Sequence, residues 1–257
     1  MTQTTKMDIA SAWEKVEYKD VSSYTTSPVP VVWQEAFHAV FRRLVLTRIG
    51  RWLGGTRPRK VVDLACGTGE WTLGFLPLAD FVVGVDVNPS FVEKARRAAQ
   101  AERDGGRAEF LRMNLLDFDG YEGVDLVCLG ACVQCLADAE VDRLFATLAA
   151  RLPPDGRLYL RTTVASPIYG AYRGRRGFFY RPRADYERRF ARLGWKVDDR
   201  FPSVAVPPAK AVEDFLKVPG PVATVLSSPL WGPIYGKHAL LRQGEAYNWL
   251  IRTTQVH

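Results

Sequence analysis

Between Val61 and Arg161 the chain alternates five times between a short apolar run and a stretch of helical periodicity, and nothing else in it narrows the possible folds so far. The runs are Val61–Leu64, Phe81–Asp86, Ala108–Arg112, Val124–Gly130 and Arg157–Arg161. Runs so short and so nearly continuous in apolar residues read as strands of a parallel sheet covered on both faces. Helical stretches fall at Glu70–Leu76, Phe91–Ala101 and Glu140–Leu152, the last with Val141, Leu144, Phe145, Leu148 and Leu152 on one face. Asn88-Pro89-Ser90 caps the second, and Pro153-Pro154 with Asp155-Gly156 turns the chain after the third. Parallel strands joined by helices require right-handed crossovers, place helices on both faces and bind ligands at the carboxyl ends of the strands.

The first of those ends, Val61 to Thr72, is built to hold a ligand. Gly67 and Gly69 let the backbone turn sharply and approach a bound molecule where a Cβ would collide. Glycines spaced Gly-x-Gly after a strand serve dinucleotide enzymes, phosphate loops and plain turns alike. Here Thr72 stands where a dinucleotide site has its third glycine, and Asp63 suits a ligand carrying an ammonium group better than a diphosphate. Asp86 ends the second strand seventeen residues after Gly69, where a carboxylate can accept both hydroxyls of a ribose.

This pattern closely resembles motif I of the class I S-adenosylmethionine-dependent methyltransferases, with Asp63, Cys66, Gly67, Thr68 and Gly69 at the family's positions and Asp86 in its ribose-binding second motif. The resemblance runs from Val61 to Arg161. It implies S-adenosylmethionine as cofactor, S-adenosylhomocysteine as product and no metal, and a cofactor-binding set of Asp63, Ala65, Cys66, Gly67, Thr68, Gly69, Asp86, Val87, Asn114, Leu115, Leu129 and Gly130. Family members commonly carry Asp at the position of Asn114, where the side chain accepts from the adenine amino group; Asn can accept through its carbonyl oxygen, and Asp117 is the alternative if the loop is shifted. The implied fold is α/β, a doubly wound, seven-stranded, mostly parallel sheet with helices on both faces. Its sixth strand is expected near Trp195–Val206 and its antiparallel seventh at Ala246–Thr253.

A chain of 257 residues suits one large domain. Within it we expect an N-terminal helical segment at 1–55, a cofactor-binding core at 56–161 and a substrate-side half at 162–257, with a cap insertion at 207–245. The helix after Pro28 and Pro30 carries Trp33, Phe37, Val40, Phe41, Leu44, Ile49 and Trp52 at helical spacing, and the segment before it, with Trp13, Tyr18 and Tyr24, reads as a lid or a surface arm. No apolar run reaches the roughly 18 residues of a membrane helix, so the expected setting is the cytoplasm, as monomer or homodimer. Cys132-x-x-Cys135 has the spacing of half a zinc site, but the other half is missing, and Cys66, Cys128, Cys132 and Cys135 read as small buried residues.

Specificity is expected beyond the fifth strand. Tyr172 to Arg192 holds eight arginines against two acids, leaving +6 of the formal +7 of the chain. Two readings stand: a face that recognises an anionic acceptor through Tyr172, Arg173 and Arg176, or a solvated helix and loop. Interleaved aromatic residues add stacking on nucleic acid as a third, but Leu129-Gly130-Ala131-Cys132 replaces the Asn-Pro-Pro-Tyr tetrad of the family's base-amine enzymes. His38 falls in the N-terminal helix and His257 at the end, leaving His238 in the cap as the candidate general base or a plain surface histidine; Gln134, just past the fourth strand, could orient an acceptor. The expected activity is methyl transfer to an oxygen or nitrogen of a small molecule, as in natural-product tailoring. A nucleic-acid methyltransferase and a catalytically silent cofactor-binding scaffold are the alternatives.

Overall fold

The computed structural model describes residues 13–15, 31–165, 171–173, 178–202 and 245–253. A long helix α1 (Val31–Trp52) precedes β1 (Lys60–Leu64), α2 (Glu70–Gly74), β2 (Phe81–Asp86), α3 (Pro89–Ala101), β3 (Ala108–Arg112), β4 (Leu126–Gly130), α4 (Asp138–Arg151) and β5 (Arg157–Val164). A two-stranded hairpin, β6 (Tyr172–Arg173) with β7 (Phe179–Tyr180), leads to α5 (Arg183–Arg192), β8 (Lys196–Pro202) and β9 (Glu245–Arg252).

Seven strands form one sheet in the order β3-β2-β1-β4-β5-β9-β8. The pairs among β1 to β5 are parallel, whereas β9 runs antiparallel to both β5 and β8, with a register shift between Val197 and Asp199. After β1 the chain builds β2 and β3 on one side, then crosses back to place β4 on the other. That reversal leaves a crevice beyond the carboxyl ends of β1 and β4, where an open α/β sheet takes its ligands.

Side chains alternate between two cores, as a pleated strand requires. Val62, Leu64, Val83, Val85, Val127, Leu129, Leu158 and Leu160 face α4 and α5 through Leu144, Phe145, Leu148, Tyr186 and Phe190. Val61, Val82, Leu126, Cys128, Tyr159 and Leu250 face α1 and α2 through Phe41, Val45, Ile49 and Phe75. At about 1.5–3 kcal/mol for each fully buried large apolar side chain, these two layers dominate the driving force for folding.

Several sequence boundaries shift for local reasons. Helix α2 ends at Gly74 rather than Leu76, because Phe75 N–H is shared between the Trp71 and Thr72 carbonyls and Pro77 follows. Helix α4 begins at Asp138, two residues earlier than its apolar face suggests, since the Glu140 carboxylate reaches back 2.6 Å to the Ala137 N–H. β4 begins at Leu126 rather than Val124, and β5 continues to Val164 because β9 supplies a partner out to Glu245. In α1 it is Val45, 2% exposed, that faces the core, while Leu44 is 38% exposed. The cap at 207–245 lies outside the described residues except for Glu245, as do Ser203–Val206 of the expected sixth strand. Among the described residues no helix is long and apolar enough to cross a membrane.

Two glycines let α3 press against the ligand loop. Gly69 sits at φ +81°, and a Cβ there would stand 2.8 Å from both Ala95 Cβ and the Phe110 ring; a Cβ on Gly84 would meet the same ring at 2.6 Å. Gly69→Ala should therefore destabilise by about 2–4 kcal/mol, summing left-handed strain and overpacking. Chemical unfolding checks this, with Gly106→Ala, whose Cβ would meet open space, as the near-neutral control.

Candidate active site

A cleft of about 220 Å³ lies beyond the carboxyl ends of β1 to β4. From β1 come Ala65 and Gly67, from β2 Asp86 and Val87, from the loop after β3 Asn114 and Leu115, and from the end of β4 Gly130 and Ala131. Trp13, Phe91, Cys132, Cys135 and Leu136 complete the wall. Ala65 and Ala131, at the ends of the two central strands, both adopt positive φ, +61° and +65°. Side-chain-bearing residues are strained there, and such strain gathers where the backbone must face a ligand.

Asp86 organises this cleft. One carboxylate oxygen accepts from Gly67 N–H at 2.8 Å and the other from Asn88 N–H at 2.9 Å, while burial pushes its pKa up against those bonds. Asn88 Oδ1 accepts from Ser90 and Phe91 N–H to cap α3, and its amide donates to the Trp13 carbonyl at 2.7 Å. The Trp13 ring stacks on Phe178 at 6.4 Å, and Glu14 pairs with Arg112 at 2.5 Å, so Trp13 is held in the cleft wall. Tyr18 and Tyr24 lie outside the described residues. Asn114 Oδ1 accepts from Leu116 N–H at 3.0 Å, leaving a second lone pair for a ligand. Asp117, the alternative, is exposed and pairs with Arg143 at 3.6 Å.

Residues 61–156 match the family model described as a methyltransferase domain. The stretch from β1 to α4 is thus similar to a methyltransferase domain. A protein of Geobacillus sp. (strain WCH70) named as a methyltransferase is 26% identical over 102 residues, 39% of this chain and 40% of that relative's length. Among solved structures, geranyl diphosphate C-methyltransferase from Streptomyces coelicolor A3(2), in complex with Mg2+, geranyl diphosphate and S-adenosyl-L-homocysteine, superposes with TM-score 0.63 at 16% identity, covering 96% of each chain. The 1,6-didemethyltoxoflavin-N1-methyltransferase of Burkholderia thailandensis gives 0.60 at 18% identity over 96% of this chain and 86% of that one. At such identities the likeness is one of fold.

The other five residues expected at the cofactor, Asp63, Cys66, Thr68, Gly69 and Leu129, do not line the cleft. Asp63 is 1% exposed and lies beneath the loop, not among the residues that line the cleft. Its carboxylate accepts from Thr72 Oγ1 at 2.7 Å and from the Cys128 thiol, because its strand position points it into the layer under α2. Leu129 is fully buried in the core, Cys66 packs beside Gly84 and Phe110, Gly69 is buried against Ala95 and Phe110, and Thr68 is half-buried. Burial pushes the Cys66, Cys128 and Cys132 thiols well up and Cys135 up to about 12, so all four stay protonated. Among the described residues no group of three or more metal-ligating side chains stands together.

Burial raises the Asp63 pKa to about 6, outweighing the Thr72 and Cys128 hydrogen bonds and the Arg161 charge. A folded-state value above the unfolded 3.8 means that the carboxylate costs stability, a cost absent below about pH 4 and complete once pH has risen through 6. Asp63→Asn should therefore stabilise the protein at pH 7.5, by of order 3 kcal/mol, and the advantage should vanish by pH 4. Thermal unfolding across that window checks the sign.

The described arginines of the stretch, from Arg181 onward, form structural clamps. Arg181, 3% exposed, donates to Asp138 at 2.7 Å and to the Val133 and Leu136 carbonyls at 3.1 and 2.6 Å, pinning the segment after β4. Arg189 bridges Asp138 and Asp142, Arg192 pairs with Asp142, Arg188 with Asp185, and Arg183 with Glu187. The side chains of Tyr172 and Arg173 lie outside the described set, as do Arg175, Arg176 and His238. Gln134 accepts from Thr162 Oγ1 at 2.7 Å and does not line the cleft.

Sequence reasoning passed over His38. It stands on α1 near Arg161, Glu70 and Arg42, and although partly exposed, the ring is crowded by protein; that burial first, then Arg161, lowers its pKa. The imidazole is thus neutral at neutral pH. For the clamps, Arg181→Gln should cost about 2–4 kcal/mol by leaving two buried carbonyls and Asp138 without their donor, while exposed Arg188→Gln should cost less than about 0.5 kcal/mol. Urea unfolding of the two variants tests the contrast.

Proposed function

We propose that this protein transfers a methyl group from S-adenosylmethionine to an oxygen or nitrogen of a small-molecule acceptor, as a tailoring step in natural-product metabolism carried out in the cytoplasm. The observation that carries the reading is the convergence of Asp86, the Gly67 loop and Asn114 on one cleft at the strand-order reversal of the sheet. The match of residues 61–156 to a methyltransferase domain supports it, as do neighbours whose names give geranyl diphosphate and 1,6-didemethyltoxoflavin as their substrates.

The residues present fit the cofactor. Asp86 keeps a lone pair on each oxygen beyond its two backbone bonds, enough to accept from paired ribose hydroxyls. Asn114 and Leu115 edge the cleft where an adenine would be read, and Gly67 and Gly130 admit a ligand close to the backbone. When bound, S-adenosylmethionine supplies a methyl group already activated on a sulfonium, so alignment in a dry cleft does much of the work. Ala131, Cys132, Cys135 and Leu136 line that cleft with mainly apolar surface. His38, the one histidine among the described residues, stands on α1 near Arg161 and outside the cleft lining. Trp13, held by Asn88 and Phe178, acts as a lid that limits water. The arginines of α5 are spent on internal acids, which weighs against a nucleic-acid track.

Calorimetric titration with S-adenosylhomocysteine should show binding by the wild type. Asp86→Ala should weaken it by about 1.5–3 kcal/mol, the value of lost charged hydrogen bonds. Preference for a nicotinamide dinucleotide over S-adenosylhomocysteine would overturn the reading.

A further inference from the structure

One side chain behind the cleft wall at Gly130 is not accounted for by the fold. Arg161 leaves β5 on the α1 face of the sheet, and its guanidinium carbon stands 4.7 Å from the Trp71 ring centroid and 5.9 Å from that of Phe41. Those rings meet edge-on at 6.2 Å, and Trp71 stacks on Tyr159 at 5.8 Å, so the aromatic seat is itself fixed. Arg161 Nε is buried without a hydrogen-bond partner, and the guanidinium makes no ion pair with any described residue. The arginines of the clamps, by contrast, all close on carboxylates.

The charges around Arg161 do not satisfy it. Asp63 is engaged by Thr72 and Cys128, Glu70 pairs with Arg42 at 2.6 Å, and His38 is neutral. Leaving a desolvated cationic donor unpaired is costly, and a fold that keeps one beside a ligand cleft gains when a ligand completes it. Gly130 lines the cleft, and a Cβ there would stand 3.8 Å from Arg161 Nη2, so the guanidinium lies directly behind that part of the cleft wall with no side chain between them on Gly130.

We propose that Arg161 is the anion-recognising residue of the acceptor site, its guanidinium held on Trp71 and Phe41 so that the in-plane N–H groups grip a carboxylate or phosphate carried by the acceptor. A guanidinium seated on a ring face keeps its donors pointing outward in a fixed fork, the geometry that matches two oxygens at once. The assignment of this space to the acceptor rests on the methyl-transfer reading; the anion site itself rests on Arg161 and its surroundings.

The test uses the full chain labelled with 15N-arginine, with and without S-adenosylhomocysteine, titrated with benzoate, phenyl phosphate and the neutral benzamide. The Arg161 Nε–Hε resonance, assigned by its loss in Arg161→Lys, should move with benzoate or phenyl phosphate and not with benzamide; the stronger of the two anions names the acceptor group. Arg161→Gln should weaken anion binding by about tenfold or more, and Arg161→Lys should recover part of it. S-adenosylhomocysteine affinity should stay within about threefold in both variants, as expected for separate contacts. An unmoved resonance, or equal anion binding by wild type and Arg161→Gln, overturns the anion site even where S-adenosylhomocysteine binds. Anion binding at Arg161 in a protein that does not bind S-adenosylhomocysteine overturns instead the assignment to a methyl acceptor.

Discussion

The cleft depends on one carboxylate. Asp86 holds the loop after β1 and the loop after β2 together by accepting a backbone N–H from each, Gly67 and Asn88. Two strand ends that are merely neighbours in a sheet are free to splay; joined by a desolvated carboxylate they are held in one register. Asn88 extends the arrangement, since its side chain caps α3 and donates to Trp13. Four segments therefore take their positions from a residue at the end of β2, and the strain at Ala65 persists because the loop that contains it is fixed at both ends.

The layout of β1 to β5 was legible because each strand is a short apolar run and each connection carries its own signal, Gly67 and Gly69 in one, Asn88-Pro89 in another. The antiparallel last strand came from family likeness rather than from its own residues, and Glu245–Arg252 confirms it beside β5. What the sequence could not show is which residues oppose one another across long separations. The arginines from Arg181 to Arg192 count as surplus charge along the chain, yet Arg189 finds Asp142 47 residues away and Arg181 finds Asp138 at 43. Composition sees the cations together and the acids elsewhere; only the packing of α5 against α4 cancels them.

Asp63 and His38 illustrate the same limit at closer range. A carboxylate ending a strand before a glycine loop is readable as a ligand contact, but whether it points into the cleft or under the loop depends on the pleat. Here the pleat sends it toward Thr72 and Cys128, and its burial makes it an expense of the fold. His38 looks like one more helical residue, because nothing local marks its approach to Arg161, more than a hundred residues away along the chain.

The placement of β9 has a consequence for synthesis. It lies between β5 and β8, and its Trp249 is wholly buried against Tyr186 and Phe190. Everything through residue 202 leaves the ribosome before the strand that joins β8 to the sheet exists. Until residues 245–252 emerge, β5 presents an unpaired edge and both strands lack their shared partner. A nascent chain in that condition is open to edge-to-edge association, so the interval between making β8 and making β9 is when this fold most needs a chaperone.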